Sequence, residues 1–156
     1  MGIEIDEAVA SYLALRERIE AGEADWIDLA GCFTDDVVYI DPAWGRVEGI
    51  ESLREFLVES MAGLEDWRFP VQMATTSGSW AIVKWTQIVP APRGGELRHS
   101  GVSTLRYRGD GRFDYEEDVL NMVHVIEDLT ASGWRPGPGF TPPPSAPVRD
   151  WSAPSR

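Results

Sequence analysis

Apolar residues recur along the first third of the chain at helical spacing. Val9, Tyr12, Leu13 and Ile19 form one stripe behind Asp6, which can cap a helix that Gly22 ends. Asp25 to Cys32, with Trp26, Leu29 and Phe33 on one side, reads as a short second helix. Ile50, Leu53, Phe56, Leu57 and Met61 repeat the spacing and predict a third helix, opened by Gly49 and closed near Gly63. Between the second and third lies an apolar strand, Val37–Asp41, which Pro42 stops because proline has no N–H to give a ladder. Trp44–Glu48 reads as a short strand or turn.

The period then changes to two. Trp67, Phe69, Val71 and Met73 alternate with Arg68, Pro70 and Gln72, and Ser77-Gly78 marks a turn. Trp80 to Val89 is a dense strand. Leu97 to Tyr107 and Phe113 to Ile126 form a hairpin around Gly109-Asp110-Gly111. Helices followed by long antiparallel strands predict an α+β fold. The expected architecture is a cone-shaped α+β barrel: a curved antiparallel sheet wrapped around the long N-terminal helix, with two further helices. Residues 1–134 are assigned to this domain. Residues 135–156 are a separate tail, because seven of these 22 residues are proline and neither helix nor sheet accommodates that. The tail is either disordered or wrapped over the domain or a partner copy, with Phe140 and Trp151 as apolar anchors.

Composition narrows the partners. The chain of 156 residues is 43% hydrophobic and carries a formal charge of −12. Residues 1–70 alone hold 5 basic side chains against 17 acidic ones. Such a surface repels phosphate backbones, which argues against nucleic acid and anionic membranes. No apolar run approaches the ~18 residues a membrane helix needs. A single cysteine, Cys32, and no basic-then-apolar leader suggest a cytoplasmic protein.

Candidate chemistry centres on Asp41. An apolar strand delivers its carboxylate to a strand end, where desolvation raises a carboxyl pKa and suits it to proton transfer. A strand-end Asp can equally form a turn with the backbone after Pro42. Lys84 is the only lysine, set inside Trp80-Ala81-Ile82-Val83-Lys84-Trp85. Facing inward it needs a carboxylate, Asp118 or Asp41; facing outward its stem lies along a Trp. Glu116, Asp118, Leu120 and Met122 share one side of their strand, and Phe113, Tyr115, Val119 and Val123 the other. His99 shares parity with Gly101 and Ser103, which places it toward the interior, whereas His124 reads as structural. Trp26, Trp44, Trp67, Trp80 and Trp85 can wall an apolar ligand or simply fill the core. The two histidines have no metal-ligand spacing, and there is no phosphate loop or nucleophile elbow. No metal or cofactor is therefore expected.

The run Phe33-Thr34-Asp35-Asp36-Val37-Val38-Tyr39-Ile40-Asp41-Pro42, followed by Gly45 and Gly49-Ile50, resembles the nuclear-transport-factor-like superfamily. Its members include SnoaL-like polyketide cyclases, ketosteroid isomerases and limonene epoxide hydrolases, and the resemblance spans about residues 5–126. It implies that Asp41 occupies the place of the isomerase general base. Ser103 stands where that family keeps an oxyanion-hole Asp, and Tyr12 lies one turn from the helical Tyr position. Tyr39 and Asp41 have the spacing of the hydrolase pair that holds a water, and Asp118 matches the Asp that activates it. Lys84 and Thr86 match a middle-strand Arg and Asp. The composite is closer to a divergent SnoaL-like protein than to either reference enzyme.

The resemblance thus implies a cofactor-independent acid/base enzyme acting on a bulky apolar small molecule of polyketide, terpenoid or steroid type. Asp41, Asp118, Tyr39 and Lys84 are the expected catalytic set. Tyr12, Trp26, Trp44, Thr86, His99, Ser103 and Leu120 are expected to bind substrate. The alternative is a non-catalytic binding protein or structural dimer. With apolar residues on both sheet faces, a homodimer packed through its sheets is expected.

Overall fold

The computed structural model describes residues 2–155, so Met1 and Arg156 lie outside it. Helix α1 spans Gly2–Glu20 and a 3-10 helix spans Trp26–Cys32. Strand β1 (Phe33–Asp41), β2 (Gly45–Glu48), helix α2 (Ile50–Glu59), then β3 (Val71–Ser77), β4 (Trp80–Pro90), β5 (Glu96–Gly109) and β6 (Arg112–Leu120) follow. Helix α3 spans Met122–Ser132. Six strands make one curved sheet in the order β2-β1-β6-β5-β4-β3. It is antiparallel except where β1 runs parallel to β6. This is the expected α+β cone, with the concave face packed on α1 and α2.

The core follows from period and face. Ile5, Ala8, Val9, Tyr12 and Ile19 are buried along α1, and Leu53, Phe56 and Leu57 along α2. Ala81, Val83 and Trp85 supply the inward face of β4. Phe113, fully buried, takes Tyr12 and Tyr107 edge-on at 6.2 and 5.8 Å between ring centres. A buried aromatic of this size contributes on the order of 2–3 kcal/mol of apolar burial. Alternation on β6 is interrupted near its start, where the β5–β6 register shifts between Arg106 and Tyr107. Phe113 therefore packs inward while Tyr115 joins Val38 and Ile40 on the outer face. Asp114 is sealed in at the shift and accepts from Arg106 and Arg108, each at 2.8 Å.

Three expectations change. Asp6 lies inside α1 and accepts from Thr76 Oγ1 at 2.8 Å instead of capping the helix. Trp67 to Pro70 precede the strand proper; Arg68 and Ile88 form an isolated bridge to β4, and Pro70 O accepts from the Thr86 N–H at 3.1 Å. The last strand ends at Leu120, not Ile126. Asn121 caps α3 by accepting from the His124 N–H, and the following β-branched run folds as a helix. Packing decides this, since Met122, Val125 and Leu129 gain a shared apolar face over the cavity described below.

Residues after α3 run back over the body. Gly137 N–H donates to Gly63 O at 2.9 Å, and Arg46 N–H to Val148 O at 2.9 Å. Arg46 Nη1 reaches Asp150 O and Ser152 O, Tyr115 OH reaches Trp151 O, and Arg106 Nη2 reaches Pro154 O, all within 2.9 Å. Two glycines of the body permit this approach. A Cβ on Gly45 would lie 2.5 Å from Val148 O, and one on Gly63 would lie 2.8 Å from Gly137 O. Both also have positive φ, +78° and +81°, which L side chains rarely adopt.

Candidate functional site

A cavity of about 500 Å³ opens between the concave sheet, α2, α3 and the tail. Its walls are rich in aromatic side chains: Trp26, Trp44, Phe56, Trp67, Phe69 and Trp85 all border it. Phe69 takes the edges of Trp26 and Trp85 at 5.5 and 5.9 Å between ring centres, and Trp44 meets Phe56 at 5.9 Å. These contacts fix the ring orientations and leave a rigid apolar surface. Among the described residues no helix is long and apolar enough to cross a membrane. Nor do any three His, Cys, Asp or Glu side chains cluster to hold a metal ion.

Polar groups of the sheet enter the cavity from β1, β5 and β6. At the end of β1, one Asp41 oxygen accepts the N–H groups of Ala43 and Trp44 at 2.8 and 2.7 Å. Its other oxygen has no partner among the described residues. Burial pushes this carboxyl up to about 6, opposed by the two backbone N–H bonds and aided by Asp118. Asp118, on β6, accepts Tyr39 OH at 2.6 Å and Ser103 Oγ at 2.5 Å. Trp85 Nε1 donates to Ser103 Oγ at 2.8 Å and completes a chain across β1, β6, β5 and β4. Burial, with Asp118 beside it, pushes the Tyr39 hydroxyl well above its ordinary value, so it remains a donor.

Behind this chain lies a second one. Arg16 Nη1 donates to Tyr12 OH, which donates to Glu116 Oε1, both at 3.0 Å. Arg16 also donates to Phe69 O at 3.0 Å and lies over the Trp26 ring at 5.3 Å. Glu116 is fully buried, and Arg16 Nε and Glu116 Oε2 are buried with no partner among the described residues. Burial and the neighbouring Asp118 push the Glu116 carboxyl well above the usual range, which favours its neutral form. Burial alone would lower the Arg16 guanidinium, but Tyr12 and Glu116 outweigh it and hold it charged.

Residues 13–115 match the SnoaL-like domain. The chain belongs to the SnoaL-like family. Among solved structures, a protein from Jannaschia sp. CCS1 assigned as a SnoaL-like polyketide cyclase superposes with a TM-score of 0.67. It is 18% identical over 81% of this chain and 93% of its own. TerC, co-crystallised with polyporic acid, gives 0.61 at 21% identity over 80% and 96%. AclR from Streptomyces galilaeus, assigned as a hydroxylase, gives 0.63 at 16% identity over 84% and 85%. At such identities the likeness establishes the fold alone. No curated protein matches the chain in sequence.

Within this SnoaL-like cone, Tyr39, Asp41, Trp26, Trp44, Ser103, Leu120 and Asp118 all border this cavity. The remaining expected site residues do not. Lys84 points to the outer face, since Trp85 beside it points inward, and its ammonium bonds to Ser100 Oγ. It reaches neither Asp118 nor Asp41. Thr86 shares that outward parity. Tyr12 sits behind the cavity wall, bonded to Glu116 and Arg16. His99 faces inward but is cut off by α3: Asp128 bonds its Nε2 at 2.9 Å and Gln87 its Nδ1 at 3.2 Å. It borders a separate space of about 310 Å³ with Asn121 and His124. Arg16 was missed, although it occupies the apolar stripe of α1 four residues after Tyr12. A charged residue on a core-facing stripe was the available signal.

Proposed function

We propose that this SnoaL-like protein is a cofactor-independent acid/base enzyme acting on a bulky apolar small molecule, with Asp41 as the proton-transfer group. The observation that carries this reading is the Asp41 carboxyl itself. Two backbone N–H groups fix one oxygen, the other is free at an aromatic cavity, and burial moves it to about 6. A base poised near neutrality both takes and returns a proton efficiently. Tyr39 OH donates to Asp118 and keeps a lone pair to orient a water or substrate hydroxyl. Arg16 takes the place of Lys84 as the cation of the site. A polyketide-type ligand is supported by the aromatic walls and by the neighbours, one assigned as a polyketide cyclase and one crystallised with polyporic acid. A purely structural pair is less well supported, because it gives no role to the free Asp41 oxygen.

Turnover of a panel of aromatic polyketide-type ketones and quinones tests the proposal. Asp41→Asn should abolish turnover while keeping ligand affinity, and kcat/KM of the parent should rise with pH and level off above about 6. An Asp41→Asn variant that still turns over the same substrate sinks the assignment.

We also propose a homodimer through the outer sheet face. Met73, Trp80, Ile82 and Val119 are exposed there, between 39% and 57%. Sedimentation at micromolar concentration showing only monomer would remove it.

A further inference from the structure

The tail crosses the cavity. Phe140 packs edge-on against Trp134, which packs on Trp67, and so closes one end. At the other end the residues from Val148 onward are held through Arg46, Tyr115 and Arg106. Between these anchors residues 141–147 make no hydrogen bond to the body, yet Pro143, Pro144 and Pro147 face the cavity. Four prolines in this stretch, Pro142, Pro143, Pro144 and Pro147, restrict its backbone freedom, so it acts as a wall. The absence of a Cβ at Gly45 and Gly63 shows that the body accommodates the tail at both ends.

Arg149 borders the same cavity just past the far anchor. Arg46 and Arg106 are occupied by tail carbonyls and carboxylates, whereas Arg149 has no hydrogen-bond or ion-pair partner among the described residues. Asp41 and Asp118 also border the cavity, and Arg16 gives its two Nη groups to Tyr12 and Phe69, leaving only a buried Nε without a partner among the described residues. An acidic ligand is therefore repelled from the strand ends and drawn toward Arg149. A guanidinium is well suited to a planar acidic group at a partly exposed mouth.

We propose that residues 140–149 form a ligand-binding wall of this site and that Arg149 selects flat aromatic ligands bearing an acidic group at one end. The proposal rests on the reading of the cavity as a small-molecule site and names the ligand class that site takes.

Two probes of similar body separate the parts. 8-Anilinonaphthalene-1-sulfonate carries an anion, and N-phenyl-1-naphthylamine lacks it. Fluorescence titration of the full chain should show both binding, and Leu120→Trp, which fills the cavity, should weaken both. Arg149→Met should weaken the sulfonate probe about tenfold and leave the neutral one unchanged, with Arg149→Lys recovering part of the loss. Phe140→Ala should weaken both probes several-fold. If Arg149→Met leaves the sulfonate probe unchanged, or weakens both alike, the proposal is overturned. If the unaltered protein binds neither probe, or Leu120→Trp changes neither, the cavity reading beneath it fails instead.

Discussion

Replacing Asp41 by Asn tests the electrostatics of the site without needing a substrate. The folded carboxyl titrates at about 6 against an ordinary 3.8, so folding raises its proton affinity roughly a hundredfold. At 1.36 kcal/mol per tenfold, that corresponds to about 3 kcal/mol held against the folded state once the group is ionised. The sign follows from where the proton is bound. Below pH ~4 both states carry it and there is no penalty. As pH rises from about 4 to 6 the unfolded chain releases the proton first, so stability falls, and above 6 the full penalty applies. Asp41 is only partly buried, so about 1–3 kcal/mol is the expected range. Asn keeps an oxygen for Ala43 and Trp44 and cannot ionise. Urea unfolding of both proteins from pH 4 to 8 should therefore show no difference at pH 4 and a more stable Asn variant above pH 6. An Asn variant less stable at every pH would refute the reasoning. The carboxylate would then serve chiefly as an acceptor for the turn.

Other outcomes are accessible by the same unfolding assay. Tyr39→Phe removes one of the two donors to Asp118 and should cost about 1–2 kcal/mol, because a half-buried acceptor loses one of its bonds. Lys84→Met should change stability by no more than about 0.5 kcal/mol, and its effect should simply add to that of Asp118→Leu, since the two lie on opposite faces. Gly63→Ala places a methyl against the tail and requires a strained φ, so it should lower stability by about 1–3 kcal/mol. The same variant should speed tryptic cleavage after Arg149.

The fold was largely legible because period carries it. Helical spacing marked α1 and α2, and Val37 to Asp41 marked the strand that delivers Tyr39 and Asp41 to the cavity. Helix α3 was not legible from period, since Leu120 to Ile126 is rich in branched residues that suit a strand. What turns it is Asn121 as a cap and an apolar surface that exists only once the sheet has curved. That miss also misplaced His99, which α3 covers through Asp128. Lys84 failed for a different reason. Its orientation was readable from Trp85 next to it, but matching it to a middle-strand Arg of related enzymes gave it a role that strand parity denies. Glu116 and Asp118 were placed together correctly on one face, although no pattern in sequence reveals that Arg16 would meet the first through Tyr12.

The tail is fastened almost wholly through its own backbone. Gly137 contributes its N–H, and Val148, Asp150, Trp151, Ser152 and Pro154 contribute carbonyl oxygens, groups that almost any residue supplies. The selective ends of those bonds, Arg46, Tyr115 and Arg106, all belong to the body. Side chains at positions 141–147 can accordingly be exchanged with little effect on attachment. One boundary of the cavity is thus modular: it can diverge, or be redesigned, at a different pace from the sheet that carries Asp41 and Asp118.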